Sequence, residues 1–306
     1  PGPRPRPRRR PRSRSRRRPS PEARAGPGTT IPDVDSRSAE LLELPAILER
    51  LAALTSFDAG RTLALGLRPS PDPVEVARRR ALTEEGLRLR ELGVSGPAGA
   101  ADLREATGAA ARGGVLEPSA LVEVLATAGI AREARAAVAA HGPEAPLLAG
   151  ILGPVDEGAL ARVEAALARA LDPRGGLLDT ASPELAAVRR RLAAARRDAI
   201  ELLRRLAGSL RPHLQEAFTT ERAGRPVLAV RASARSAVPG IVHDSSGSGQ
   251  TLFIEPMPVV EVNNRVRELA AQEAEEEERI LRELSRLVGE ERAALDGAVE
   301  ALAALD

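Results

Sequence analysis

Apolar residues recur at three- and four-residue steps along most of the chain, change to near-alternation over about forty residues after position 216, and then return to helical spacing. From Ser38, the residues Leu41, Leu42, Leu44, Ile47, Leu48, Leu51 and Leu54 form one stripe that fades near Ser56 and Phe57, predicting a first helix. A short helix is predicted over 58–67. The breaker LRPSPDP follows, and Pro73 opens a third helix through Leu92 that carries Val74, Val76, Leu82 and Leu87. Helical spacing also fits 102–112, 117–140, 143–152 and 156–171; the Gly/Pro loops between them are short, so neighbouring helices should pack antiparallel in a bundle.

The run DPRGGLLDTASPEL reads as a turn and a helix start, with Ser182 as N-cap, Pro183 at the first helical position and Glu184 in the first turn. Leu185, Val188, Leu192, Ile200, Leu203, Leu206, Leu210 and Leu214 then mark a helix of roughly 48 Å, whose last turn Pro212 should kink. The segments AFTTER, RPVLAVRA, PGIVHD and QTLFIEP are rich in Val, Ile, Thr and Phe and separated by Gly, Ser and Asp, which predicts a small β module. A second long helix is expected from Pro258 to the end of the chain. The predicted fold class is mainly α: a helical bundle core plus a long antiparallel helical lever hairpin carrying a small β clamp at its tip. The expected organisation is a disordered Arg/Pro-rich tail over 1–32, a helical core domain over 33–180, a first lever arm over 181–216, the clamp over 217–257 and the second arm over 258–306.

Composition changes this picture in one respect, through charge. All 45 basic residues are Arg, there is no Lys, Cys, Tyr or Trp, and the formal net charge is +2. Residues 1–25 hold 11 Arg and one Glu, which leaves 34 Arg against 42 acids in the rest of the chain, about −8. A uniformly basic surface is excluded, so any grip on nucleic acid must be local. The tail has too few large apolar side chains to offset the entropy of ordering. It suits a basic arm or an organellar presequence, but its frequent prolines prevent an amphipathic helix, and a mis-assigned start is the reading adopted. Absent cysteine removes disulfides and thiolate chemistry. No apolar run approaches a membrane span. Within the hairpin, counting back from the tip sets Arg196 and Arg197 level with Glu276, Glu277 and Glu278, so RRRLAAARR should face EAEEEER; two separately solvated faces are the alternative.

The stretch VPGIVHDSSGSGQTLFIEP is the most informative. His243, Asp244 and Ser245 are consecutive at a strand end, point in alternating directions, and do not reproduce a catalytic triad. A role for His243 and Asp244 in hydrogen-bonding the turn, with Gly247 and Gly249 shaping a tight hairpin, is expected instead. The glycines enter a strand, and without any lysine they make no nucleotide-binding loop. The histidines, His141, His213 and His243, are far apart, so no metal site and no catalytic residue is assigned. Arg222, Arg225, Arg231 and Arg235 lie on or beside strands with hydroxyl residues nearby, and are the candidate phosphate contacts. Phe218 and Phe253 read as core, so backbone contact rather than base stacking is expected.

VPGIVHDSSGSGQTLFIEP with the following VVEVNNRVREL, the ASPEL helix start and the opening SAELLELPAILERLAALTSFDAGR together resemble bacterial MutS-two proteins over about residues 38–306. Where that family shows a run like RYVLPVKA, this chain has Arg225 to Arg231 without the aromatic. The resemblance implies a non-catalytic core, lever and clamp region of a cytoplasmic protein whose full-length form is a homodimeric, ATP-dependent endonuclease acting on DNA, branched DNA included, or on stalled ribosomes and their rRNA. It implies ATP and magnesium only for an ATPase region that would follow Asp306, together with a small MutS-related nuclease region; no cofactor is expected within the 306 residues. A structural helical scaffold or dimerisation module that binds protein is the alternative.

Overall fold

The computed structural model describes Gly2, residues 36–222 and residues 224–306, without the side chains of Ser36, Ala217 and Phe218. The expected tail over 1–32, apart from Gly2, lies outside the described residues.

The first predicted helix is two: α1 (Ser36–Leu41) and α2 (Leu44–Ala52). Pro45 has no N–H to continue the helical ladder, and Glu43 turns the chain through the left-handed region at φ 55°. Their apolar stripe is not covered. Leu41, Leu42, Ile47 and Leu54 are each more than half exposed. Next come α3 (Asp58–Leu65) and α4 (Pro73–Glu91), the latter capped by the Asp72 carboxylate, which accepts from Val74 N at 2.9 Å. The bundle continues with α5 (Arg104–Ala111), α6 (Pro118–Ala140), α7 (Pro146–Leu152) and α8 (Glu157–Ala170). Its centre is the pair α6 and α8, where Leu121, Val124, Ala128, Ala131, Leu160, Val163 and Leu167 are all fully buried. Each such leucine stabilises the fold by about 1.5–3 kcal/mol.

The lever begins as expected: α9 (Pro183–Ser209) has Ser182 as its N-cap and Pro183 at its first position. It ends at Ser209, earlier than the sequence suggested, because Pro212 cannot extend an α-helix and sits instead in a 3-10 turn over Arg211–His213. Four strands follow: β1 (Leu214–Arg222), β2 (Arg225–Arg231), β3 (Gly240–Ser245) and β4 (Thr251–Pro256). They form one antiparallel sheet in the order β1-β2-β4-β3, with β2 and β4 central. Leu228, Val230 and Ile254 from those central strands pack on Leu203 and Ala207 of α9 and on Val259. The sheet is therefore cemented to the ends of both lever helices.

The return arm is also interrupted. α10 (Met257–Glu290) ends one residue before α11 (Arg292–Leu305), with Glu291 between them at φ −93° and ψ 15°. α11 buries Leu295, Ala298, Val299 and Leu302 in the same core that takes Ile280, Leu284 and Val288 of α10. Arg162 holds Glu291 at 2.7 Å, and Gly289 lets α10 pass so close to α5 that a Cβ there would lie 2.7 Å from the Ala110 carbonyl carbon. The fold is mainly α with one small antiparallel sheet.

Earlier termination of α9 changes the register of the hairpin. Leu192 and Ala195 pack on Leu269, and Arg189 reaches Glu273 at 2.9 Å and Glu277 at 2.8 Å. The expected facing of Arg196 and Arg197 with Glu276 to Glu278 is not formed; both arginines are exposed, and among the described residues neither has an ion-pair partner. Arg189 alone of RRRLAAARR crosses to the acidic run.

Candidate nucleic-acid interface

The tip is organised around a buried acid that the sequence reading passed over. Glu255, at the end of β4, is fully buried. Its carboxylate accepts from Arg225 Nη1 at 2.7 and 2.9 Å and from Asn263 Nδ2 at 2.8 Å, and lies 2.6 Å from His243 Nε2. Burial pushes its pKa up, but the hydrogen bonds from Asn263, His243 and Arg225 outweigh that and hold the carboxyl below the usual glutamate value. Both neighbours of the Asn263 amide nitrogen, Glu255 Oε1 and Pro226 O, are acceptors, which fixes the amide orientation and leaves its Oδ1 buried without a partner.

This network takes two of the sequence-derived residues out of solvent. Arg225 was expected at phosphate; its side chain is only 12% exposed and its second nitrogen is held by Asn264 Oδ1 at 2.8 Å. His243 was expected to bond the turn; it faces Glu255 instead. Arg235 folds back on its own loop, donating to the carbonyls of Val238 and Gly240 at 3.2 and 3.1 Å. Arg222 lies 3.9 Å above the ring of Phe253 and 3.2 Å from Asp244, which keeps its guanidinium at the surface but partly neutralised. Arg231 is exposed, and among the described residues its side chain has no partner. Arg222 also donates to Glu221 O at 2.8 Å, so of the four arginines Arg231 alone has a side chain without a partner among the described residues, while Arg222 and Arg235 sit at the surface with their guanidinium groups engaged.

The turn itself is a five-residue loop from Ser246 to Gln250. Gly249 takes φ +69° and donates to Ser246 O at 2.8 Å, while Gly247 needs no such conformation and faces open space. Asp244 accepts from Ser245 N at 2.8 Å. The loop enters β4, a strand, so its amides do not converge at a helix start as a phosphate cradle requires. An open cleft of about 550 Å³ between α5 and α10 is lined by Gly113, Gly114 and Arg279, Arg282 and Arg286, but each of those arginines is engaged by a glutamate of α10. That cleft therefore presents, among the described residues, no unpaired cation to the phosphates of a nucleotide. Among the described residues, no group of three or more His, Asp or Glu is placed to hold a metal, and no helix is long and apolar enough to cross a membrane.

Glu255 and Asn263 left a faint mark in the sequence. Asn263 interrupts the apolar spacing of Val259, Val262 and Val266 on a core-facing helix side, and a polar residue there needs a buried partner.

No family model matches the chain. It is 44% identical over 276 residues to the curated protein named Endonuclease MutS2 from Thermomicrobium roseum, a match covering 89% of this chain and 34% of that relative. The identically named protein of Symbiobacterium thermophilum is 41% identical over 275 residues, and that of Geobacillus thermodenitrificans 40% over 280, with 89% of this chain covered in each and 34% and 35% of the relatives. The chain spans about a third of the length of the curated relatives it matches. Over that third, the chain belongs to the MutS2 family.

Proposed function

We propose that the chain is a non-catalytic, nucleic-acid-binding and force-transmitting region of a longer MutS2 protein. The reading rests on one observation: a helical hairpin is fastened at both ends. At the root, Ser285 of α10 accepts from Leu116 N at 2.8 Å and Gly289 lies against α5. At the far end, the sheet shares its apolar core with α9 and α10. With 34 residues, α10 extends about 51 Å, so a displacement at the root moves the tip as one body. Arg222 and Arg231 are the tip residues that meet the ligand.

In this reading the whole protein is an ATP-dependent endonuclease of the bacterial cytoplasm, dimeric, acting on DNA, branched DNA included, or on the rRNA of stalled ribosomes, with suppression of recombination or ribosome rescue as the outcome. ATP and magnesium serve a region other than the residues described. The test is an Arg222→Ala/Arg231→Ala double variant. Each lost phosphate contact should make the slope of log affinity against log salt less negative by about 0.9 for a duplex. Unchanged affinity and slope remove the tip from the account.

A second reading, a scaffold that binds protein, draws on the exposed stripe of Leu41, Leu42, Ile47 and Leu54. Its occupant is a second copy of the chain. Concentration-dependent dimerisation that is insensitive to salt and abolished by Leu42→Asp/Ile47→Asp supports it, and a monomer at all concentrations rejects it.

A further inference from the structure

The lever hairpin is electrically split. α9 carries seven Arg against three acids, and α10 carries nine acids against five Arg. The two arms do not neutralise each other, because Arg189 is the residue of α9 that forms ion pairs across the hairpin. Arg205 is held by Glu201 on its own helix. The remaining five, Arg190, Arg191, Arg196, Arg197 and Arg204, are exposed, and among the described residues they have no hydrogen-bond or ion-pair partner. On α10, by contrast, nearly every acid is engaged: Glu268 by Arg265, Glu276 and Glu283 by Arg279, Glu278 by Arg282, Glu290 by Arg286, and Glu273 and Glu277 by Arg189.

The free arginines are ordered on the helix. Arg190, Arg197 and Arg204 follow one another at seven-residue steps, which keeps them within about 40° of one line and spreads them over about 21 Å. That line lies opposite the buried face of α9, made by Leu185, Leu192, Ala199 and Leu203. Arg191 and Arg196 project roughly 100° to either side of it.

We propose that this arginine track on the outer face of the first lever arm is a second nucleic-acid contact, separate from the tip, and that its ligand is the backbone of duplex DNA. The proposal rests on the reading of the region as nucleic-acid-binding. The acidic lever arm of a second copy fits the charge poorly, since only Glu261 and Glu275 of α10 lack an ion-pair partner among the described residues, against five free arginines. Single strands are disfavoured because the arm carries no aromatic side chain on which bases stack. Duplex DNA suits it in shape as well as charge. A helix about 10–12 Å across enters the roughly 12 Å major groove of B-form DNA, where Arg191 and Arg196 reach the phosphates of the two walls. The deep, narrow major groove of duplex RNA does not admit it.

The test measures binding of the 306-residue chain to duplex DNA, duplex RNA and single-stranded DNA of equal length over a range of salt. Four proteins are compared: the parent, Arg190→Ala/Arg197→Ala/Arg204→Ala, the tip variant Arg222→Ala/Arg231→Ala, and Arg205→Ala as a paired-arginine control. Circular dichroism should be unchanged throughout, because the arm positions are exposed and alanine favours helix. The expected result is a salt slope on duplex DNA less negative by about 2.7 for the triple variant, with no change for Arg205→Ala. A parental slope in the triple variant overturns the track. If the tip variant weakens while the triple variant does not, the track fails and the tip reading stands; the reverse pattern keeps the track and removes the tip. A parent that binds no duplex DNA, or prefers RNA or single strands, overturns the proposal.

Discussion

The Ser182 hydroxyl donates to Glu276 Oε1 at 2.6 Å while accepting from Leu185 N at 2.9 Å. The N-cap of the first lever arm is thus also a tie to the second, made where the hairpin leaves the core.

Replacing that hydroxyl should cost more than a lost cap. Ser182→Ala removes the cap, worth about 0.5–2 kcal/mol, together with the tie to Glu276. Aspartate is ordinarily as good a cap as serine, but here it sets a second carboxylate against Glu276. Ser182→Asp should therefore unfold at lower denaturant than Ser182→Asn at neutral pH, and the gap should narrow in acid. Equal midpoints for the two would mean that the tie is not made in solution.

Glu276 makes the hairpin acid-sensitive. The Arg279 guanidinium, working against partial burial and helped by Ser182, lowers its pKa from 4.5 to about 2. A lowered folded-state pKa means that the unfolded chain takes up the proton first, so the stabilisation is complete above the ordinary glutamate value and is lost as pH falls from about 4.5 to about 2. Glu276→Gln should be less stable than the parent at pH 7 and show a flatter decline through that window. An identical pH profile would contradict the assignment.

At the tip, Arg225 separates two roles that predict different phenotypes. As the partner of a fully buried carboxylate, its removal strands Glu255, and breaking such a pair costs about 3–5 kcal/mol. Arg225→Ala should lose amide protection across β2 and β4 and recover part of it when Glu255→Gln is added. A variant with unchanged protection but weakened nucleic-acid binding would return Arg225 to the phosphate-contacting role its sequence position suggests.

That contrast shows where sequence reading stops. Periodicity locates the lever because α9 and α10 bury one face each, and the Ser182–Pro183 start is legible because capping is a local matter. The halves of the opening stripe look like one helix because Leu41 to Leu54 keep their spacing across Glu43, and only the missing N–H of Pro45 betrays the break. The hairpin register failed for one reason: Pro212 ended α9 at Ser209, and every facing pair moved with it. At the tip, four arginines look alike in sequence, and only the buried position of Glu255 distinguishes Arg225, spent inside the protein, from Arg231, left outside.

Two glycines test how firmly the lever is rooted. A Cβ at Gly289 would lie 2.7 Å from the Ala110 carbonyl carbon and 2.8 Å from Ala111 N, both backbone atoms that a rotamer change cannot move. Gly297, on α11, has nothing within 4 Å of the same position. Alanine is the better helix former by about 0.5–1 kcal/mol, so Gly297→Ala should stabilise the chain by that amount. Gly289→Ala gains the same propensity, but must push α10 off α5, and overpacking of this kind costs about 1–3 kcal/mol. The two substitutions should therefore shift the thermal midpoint in opposite directions. If Gly289→Ala stabilises as Gly297→Ala does, α10 is not seated on α5 in solution, and the lever has lost the root through which a force would reach its tip.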